Sequence, residues 1–174
     1  QTFTASAAAI GAFSLPSREV ARVTLDSIVM TGVGSIQYTG ESILINQPES
    51  GVLVSELTLY GETRRSFGQL RATGQEADAN LHHALNAGLP LVDPTGGFYF
   101  VFAAGVPVFR KYDAQGKLLF ERHVEGREID DYLQTMPTRW PTRHNDDGDL
   151  LPLVPAAMRA AGVARQGRLW GSLV

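Results

Sequence analysis

Alternation of apolar and polar positions dominates the middle of this chain, between residues 97 and 122. The segment GFYFVFAAGVPVFRKYDAQGKLLFER contains two apolar runs and one alternating run, separated by turn sequences. The turn at 113–116 has a physical basis, because an aspartate side chain can bond its own backbone and glycine readily adopts positive φ. An alternating run is typical of a half-buried strand. The segment therefore predicts three strands in a meander, which must bury its faces against other elements.

The same kind of pattern predicts further strands along the chain and places helices only in the connecting segments. The predicted strands outside the central meander cover residues 18–25, 28–30, 35–39, 41–46, 52–60 and 63–67. Helices are predicted at 77–85 and at 127–136, where Ile129 and Leu133 lie four residues apart on one helix face. Residues 1–17 lack a clear period and predict an N-terminal arm, with a short helix or a mobile segment at 4–10.

An internal repeat connects these strands. A glycine, a short apolar strand, a small turn, a longer strand, a glycine turn and an amphipathic strand follow one another in 40–67 and again in 97–122. A third copy begins at Gly162, and residues 126–155 form a proline-rich insertion between the second and third copies. We therefore predict an all-β domain at 18–174, with about two to three four-stranded antiparallel units and a helical or irregular insertion.

Two segments of this repeat resemble a known group of proteins. KYDAQGKLLFER, at 111–122, resembles a hairpin of six-bladed β-propellers of the NHL and TolB-like type, and GRLW, at 167–170, resembles one of their recurring strands. Tandem four-stranded units with glycine turns are typical of propellers. The resemblance covers roughly residues 18–174 and implies a partial β-propeller, since a closed ring of blades needs about 250–350 residues. It also implies that a protein partner or self-association covers the open blade faces.

Composition narrows the partners that this chain can have. Hydrophobic residues make up 44% and charged residues 19% of the chain, as in ordinary globular proteins. The net charge of −3 argues against a nucleic-acid partner, and no apolar run approaches the roughly 20 residues of a membrane span. The absence of cysteine excludes disulfides and thiolate chemistry. The start at Gln1 suggests either a bacterial protein exported to the periplasm or beyond, or a shortened chain.

The insertion holds the candidate ligand-binding residues. Arg139, Trp140 and Arg143 place an aromatic ring between two cations, an arrangement that can stack on a sugar or clamp an anion. Alternatively, Trp140 packs the insertion onto the sheets. The run HNDDGD at 144–149 offers hard oxygen ligands around a glycine, as Ca²⁺ prefers.

The candidate calcium ligands are three aspartates of that run: Asp146, Asp147 and Asp149. No glutamate completes an EF-hand loop, so a solvated acidic loop is the alternative, and we expect no other cofactor.

Histidines beside carboxylates are candidates for acid–base or metal chemistry. His82 would share a helix face with Asp78, His123 would share a strand face with Glu121, and His144 begins the acidic run. The alternative for each is a surface residue. The nearby cations Arg64, Arg65 and Arg71 are interpreted as a solvated strand edge, because glutamates flank them.

No nucleophile elbow, phosphate-binding loop, dinucleotide fingerprint or HExxH motif is present, so we expect no catalytic residues. The first hypothesis is therefore a non-enzymatic binding or scaffold module of the propeller type, exported, that contacts a protein or a glycan. One alternative is a propeller enzyme, a lyase or hydrolase, with a metal in its central channel and the three histidines nearby. Another is a subunit that completes its sheet with another chain.

Overall fold

Antiparallel strands are the main secondary structure of the chain, and strands that pair are neighbours in sequence. The structure is a computed structural model that describes residues 2–6, 9–14, 18–24, 35–137, 139–146, 148 and 150–173, with side chains from residue 35 onward. The strands are β1 (Thr2–Ser6), β2 (Ala9–Ser14), β3 (Arg18–Thr24), β4 (Ser35–Tyr38), β5 (Ile43–Asn46), β6 (Val52–Leu57), β7 (Thr63–Gln69), β8 (Gly88–Val92), β9 (Phe98–Phe102), β10 (Val108–Tyr112), β11 (Leu118–His123), β12 (Thr142–His144), β13 (Leu150–Pro152), β14 (Met158–Val163) and β15 (Leu169–Leu173). The helices are α1 (Ala79–Leu85) and α2 (Arg127–Thr135), with one 3-10 turn at Pro48–Ser50.

Two four-stranded meanders form the centre of the fold. The first meander has the strand order β4-β5-β6-β7, the second has the order β8-β9-β10-β11, and both are antiparallel throughout. The prediction of an all-β chain with two to three four-stranded antiparallel units and a helical insertion is confirmed. The described strands do not close a ring.

The segment predicted as an N-terminal arm contributes two strands to a sheet. β1 pairs with β2, and β2 pairs with β3 from Ala9 opposite Thr24 to Ser14 opposite Arg18. Residues 4–6 and 9–10 are therefore extended rather than helical, because these strands pair through their backbones. The small residues of this segment have no period from which a strand could be predicted. The strand predicted at 28–30 lies outside the described residues.

The facing sides of the two meanders share one hydrophobic core. Its buried side chains, none more than 8% exposed, are Leu44, Leu53, Val54 and Phe67 from the first meander and Phe100, Phe102, Val108 and Tyr112 from the second. Burying each large apolar side chain contributes about 1.5–3 kcal/mol relative to leaving it in water. All four residues of β5 are buried, which accounts for its unbroken sequence ILIN in place of an alternating one.

A buried asparagine on the second strand of the first meander joins it to the first strand of the second meander. Asn46 on β5 donates from Nδ2 to the Leu53 carbonyl at 2.8 Å, and its Oδ1 accepts from the Gly88 amide at 2.9 Å. The Ser35 hydroxyl donates to the Gly88 carbonyl. Gly88 is required at this contact, because an added Cβ would lie 2.5 Å from both the Phe100 ring and the Val101 carbonyl. Side-chain hydrogen bonds thus hold β8 beside the first meander.

The opposite face of the second meander is covered by the β14–β15 hairpin. Leu91 and Val101 are buried there against Met158, with Leu169 and Leu173 packed around them. β8 lies beside both β4 and β14, so the first strands of the three units are neighbours. The third unit begins at Met158 rather than at the predicted Gly162, and the described chain contributes two strands to it.

The insertion between β11 and β14 contains α2 and the β12–β13 hairpin. α2 confirms the helix predicted at 127–136, with Ile129 as its buried residue. α1 lies within the predicted 77–85, and its N-cap Asp78 accepts a hydrogen bond from the Leu81 amide at 3.0 Å. Among the helices of the described residues, none is both long and apolar enough to cross a membrane.

Candidate functional site

A pocket of about 560 Å³ lies where the second meander meets the insertion and the segment after β7. We call it the arginine pocket, and its polar and aromatic lining residues include Arg71, Thr73, Arg110, Glu121, His123 and Trp140. The turn between β9 and β10 forms one wall at Gly105, which has a φ of 69°. A Cβ at Gly105 would lie 3.0 Å from Nη2 of Arg71, so glycine permits both the turn and the approach of the arginine.

The Arg71 side chain is held by three backbone carbonyl oxygens. Nη1 donates to Val106 at 2.9 Å, and Nη2 donates to Leu85 at 2.8 Å and to Ala104 at 2.5 Å. These carbonyls belong to the end of α1 and to the β9–β10 turn. The guanidinium is therefore fixed between two separate segments of the chain.

The backbone of Arg71 is fixed as well, by a fully buried asparagine at the end of α1. Asn86 accepts from the Arg71 amide at 2.8 Å and donates to the Arg71 carbonyl at 3.3 Å. It also donates to the His82 carbonyl at 3.0 Å, which satisfies an end of α1. Asn86 thus positions Arg71 without lining the pocket.

Two arginines of the pocket approach the ring of Phe102, which is fully buried. The guanidinium carbon of Arg71 lies 4.2 Å from the ring centroid, and that of Arg110 lies 5.2 Å from it. Both distances are within the range of cation–π attraction. The aromatic ring therefore helps to accommodate two like charges in one place.

The two arginines differ in how their charges are balanced. Arg110 donates from Nε to a Glu121 oxygen at 2.5 Å and from Nη1 to the Gln69 carbonyl at 2.5 Å. Arg71 has no carboxylate partner among the described residues. Burial, together with the positive charge of Arg110, lowers the pKa of Arg71 to about 10, although Glu121 and Tyr132 act in the opposite direction. The pocket therefore holds one partly buried cation that forms no ion pair with any carboxylate in the described part of the chain.

The insertion closes one side of the arginine pocket. Trp140 and Met136 line it, and Trp140 is half-buried. Tyr132 on α2 lies within electrostatic reach of Arg71: burial raises the pKa of Tyr132, and the guanidinium charge opposes that rise. Thus α2 and the residues after it bring two aromatic side chains to the arginines.

The structure brings together only some of the predicted ligand-binding residues. Trp140 lines the arginine pocket, whereas Arg139 and Arg143 are exposed and are not among its lining residues. Of the predicted calcium ligands, Asp146 is exposed, and Asp147 and Asp149 lie outside the described residues. Within the described part of the chain, no three histidine or acidic side chains are grouped as a metal site would require.

The three candidate histidines, His82, His123 and His144, have different environments. His82 Nδ1 lies 2.7 Å from the Thr73 hydroxyl. His123 lines the arginine pocket, and Glu121 lines it too, as expected for two residues on one strand face. His144 Nδ1 lies 3.0 Å from the Gly148 carbonyl oxygen in its own loop. Each ring thus has a different partner or location, and none of these contacts joins one candidate histidine to another.

The interpretation of Arg71 as part of a solvated strand edge is wrong. Arg71 follows β7, where the chain leaves the sheet edge and turns under the β9–β10 turn, so its side chain points into the fold. Arg64 remains 58% exposed, in agreement with the interpretation. Sequence reasoning also missed Arg110, although a signal existed: Arg110 and Lys111 are adjacent cations inside an aromatic meander. Neighbouring strand residues face opposite sides, so each packed face had to accommodate one charge.

The second of these cations is buried in an ion pair on the other face of the second meander. Lys111 donates from Nζ to the Asp93 carboxylate and, at 2.7 Å, to the Gly96 carbonyl. Asp93 also accepts from the Thr95 amide at 2.8 Å and the Thr95 hydroxyl at 2.7 Å. Burial acts to raise the pKa of Asp93, but the bonds from Lys111 and Thr95 outweigh it, and the pKa lies below its usual value.

A buried carboxylate on the first meander is balanced in a similar way. Glu56, which is 5% exposed, accepts from the Ser42 hydroxyl at 2.6 Å and from Arg65 Nε at 2.5 Å. Burial acts to raise its pKa, but these bonds, with the charges of Arg65 and Arg64, outweigh burial and lower the pKa. Both buried carboxylates thus have cationic partners within the fold, whereas no carboxylate of the described residues forms an ion pair with Arg71.

Comparisons of the chain with protein-family models, with curated proteins and with solved structures found no match, so the similarity to propellers remains a resemblance of motifs.

Proposed function

We propose that this chain is a non-enzymatic binding module built from propeller-type blades, and that the arginine pocket binds a glycan. The stacking of the two meanders, with their first strands side by side, supports the blade interpretation. In propellers, too, four-stranded meanders are repeated around an axis. The motif resemblance at 111–122 falls on β10 and β11, whose side chains Arg110, Glu121 and His123 line the pocket.

The observation that carries the proposal is Trp140 in a pocket that also presents several polar side chains. A sugar ring has apolar C–H faces that can lie on an indole and hydroxyl groups at its edge that need hydrogen-bonding partners. Thr73, Glu121 and His123 offer such partners beside Trp140. A volume of about 560 Å³ suits a ring-sized ligand. A protein partner would need an interface of about 800 Å² on each side, of which this pocket would be a small part.

Intrinsic fluorescence can test this proposal directly, because the chain has only two tryptophans. A Trp170→Phe variant leaves Trp140 as the single indole, so a bound sugar should change its emission. Titration with a panel of neutral and acidic oligosaccharides should saturate for at least one member. Mass spectrometry should then recover that oligosaccharide intact.

A matched pair of variants locates the binding site. Trp140→Ala should weaken binding, measured by calorimetry, by roughly tenfold or more. Trp170→Ala should leave the affinity unchanged, because Trp170 lies on the β14–β15 hairpin and does not line the pocket. Failure of every oligosaccharide to bind, or equal loss in both variants, would refute the proposal, and cleavage of the sugar would show an enzyme.

Self-association is a second candidate function, favoured by the outer face of the β14–β15 hairpin. Trp170 is 58% exposed on this face, which no described element covers. The hairpin carries three exposed arginines and no carboxylate: Arg159, Arg165 and Arg168. α2 carries three exposed carboxylates: Glu128, Asp130 and Asp131. Charge complementarity between the hairpin and α2 of a second copy is thus the basis of this candidate.

Light scattering at several protein and salt concentrations tests this association. The mass should rise with protein concentration at low salt and fall when salt screens the charges. A Trp170→Ser variant should shift the curve toward the monomer, whereas Trp140→Ser should not. A constant monomer mass at all concentrations would rule out the second candidate.

A further inference from the structure

The balance of charges in the arginine pocket indicates what kind of glycan it accepts. Glu121 neutralises Arg110, but Arg71 is hydrogen-bonded only to neutral carbonyl oxygens in the described part of the chain. A guanidinium has five N–H donors, and three of those of Arg71 are used by these carbonyls. Two donors remain for a ligand. A buried charge without a counter-charge is costly, and such groups are concentrated at functional sites.

The fold maintains this unpaired cation by several independent contacts. Asn86 fixes its backbone, three carbonyls fix its guanidinium, and Phe102 stacks beneath it. Arg71 also lines the pocket in which Trp140 lies. A preorganised cation beside an exposed part of an indole suits a ligand that has both a negative charge and a ring.

We propose that the arginine pocket selects a sugar that bears a carboxylate, a uronic-acid-type residue, whose carboxylate pairs with Arg71 while its ring lies against Trp140. This inference rests on the proposed function, since it specifies the ligand class of the same pocket. A singly charged carboxylate fits better than a phosphate monoester, which carries nearly two negative charges at neutral pH, because one cation is unpaired and the Glu121 carboxylate in the same pocket repels a second negative charge.

Matched ligands isolate the charge from the ring. Three probes, trigalacturonic acid, a hyaluronan tetrasaccharide and an alginate trimer, are each compared with their methyl esters, which keep the ring and lose the charge. At least one acid should bind ten times or more as tightly as its ester, and its affinity should fall with added salt.

A charge variant tests the same point while Arg71 stays in place. Glu121→Gln removes the negative charge beside the arginines but can still hydrogen-bond to a sugar, and any change in those hydrogen bonds affects the acid and the ester alike. The ratio of the affinity for the acid to the affinity for the ester should therefore rise roughly three- to tenfold. Glu125→Gln is the control, because Glu125 is exposed and does not line the pocket. Arg71→Gln should abolish the preference for the acid over the ester, provided that its circular dichroism and urea transition show a folded protein.

The outcomes separate this inference from the proposed function. If acids and esters bind equally and Trp140→Ala weakens both, the pocket binds sugars but the inferred charge preference is refuted. If no acid and no ester binds, both proposals fail. An unchanged or lower ratio of acid affinity to ester affinity in Glu121→Gln also overturns the inference, whatever the result for Arg71→Gln.

Discussion

Replacing Lys111 with methionine would show what a buried charge contributes to the second meander. Lys111 is 7% exposed and its partner Asp93 is 4% exposed. The lysine ammonium bonds to the Asp93 carboxylate and to the Gly96 carbonyl, and it lies 4.3 Å from the centroid of the Tyr99 ring. Methionine has a side chain of similar length and volume, so it fills the same space and leaves little cavity.

The expected cost is therefore mainly that of the stranded Asp93 carboxylate. Breaking a buried pair by removing one partner typically destabilises a protein by about 3–5 kcal/mol. Thr95 still donates two hydrogen bonds to Asp93, which places the expected value at the lower end, near 3 kcal/mol. A domain is usually stable by only about 5–15 kcal/mol, so this loss should be large in a urea titration.

Urea denaturation followed by circular dichroism measures the loss, with Lys117→Met as the control. Lys117 is exposed at the end of the adjoining turn, so its replacement should change the free energy of unfolding by no more than about 0.5 kcal/mol. The double variant Asp93→Asn/Lys111→Met should recover at least about 1 kcal/mol relative to Lys111→Met, because it removes the uncompensated charge. A loss below about 1 kcal/mol in Lys111→Met, or a double variant no more stable than the single one, would refute this reasoning.

Three further predictions follow from the same structure. Gly88→Ala should lower the free energy of unfolding by about 1–3 kcal/mol, because the added Cβ meets a buried ring and a backbone carbonyl. The Cβ of Gly162→Ala meets only an exposed indole, so this variant should lose clearly less, and equal urea midpoints of the two variants would contradict the reasoning. Asn86→Ala should lower the free energy of unfolding by about 1–3 kcal/mol and weaken oligosaccharide binding, because it leaves the backbone amide and carbonyl of Arg71 without their partner. Calorimetry of unfolding and of binding checks both effects, and unaltered binding would exclude the positioning role of Asn86. The pKa of Glu56 is lower in the folded state, so its contribution to stability is present above its unfolded pKa near 4.3 and is lost as the pH falls through and below that value. Urea midpoints should therefore decrease from pH 6 to pH 3, and the decrease should be smaller in Glu56→Gln.

Local chemistry made the strands and turns of the central segment predictable. Asp113 Oδ1 accepts from the Gln115 amide at 2.9 Å and the Lys117 amide at 2.8 Å, and Gly116 has a φ of 83°. These are the interactions that an Asp-to-Gly turn predicts, and they involve only residues a few positions apart. α2 was predictable for the same reason, because its apolar residues repeat with the period of a helix. At β1 and β2, where small residues have no period, the structure has strands in place of the short helix considered for residues 4–10, whereas β3 was predicted.

The arginine pocket could be predicted only in part. Trp140 stood out as an aromatic residue in a long insertion, but its neighbours Arg139 and Arg143 do not line the pocket with it. The cations that do, Arg71 and Arg110, lie on segments that are far apart in sequence. Adjacency in the sequence was therefore a poor guide to adjacency in the pocket.

The sequence by itself determined the period-two strands, the glycine turns and the order in which the meanders follow one another, because each depends on residues within one or two turns or strands. Only the tertiary structure decided which charges are neutralised and which is left over. That outcome depends on strand pairing within the second meander, which brings Glu121 to Arg110 and Asp93 to Lys111. It also depends on the packing of the segment after β7 against α1 and the β9–β10 turn, which brings three carbonyl oxygens, but no carboxylate of the described residues, into contact with Arg71. Electrostatic balance in a folded chain is a property of distance in space, and a pattern along the sequence carries no measure of it.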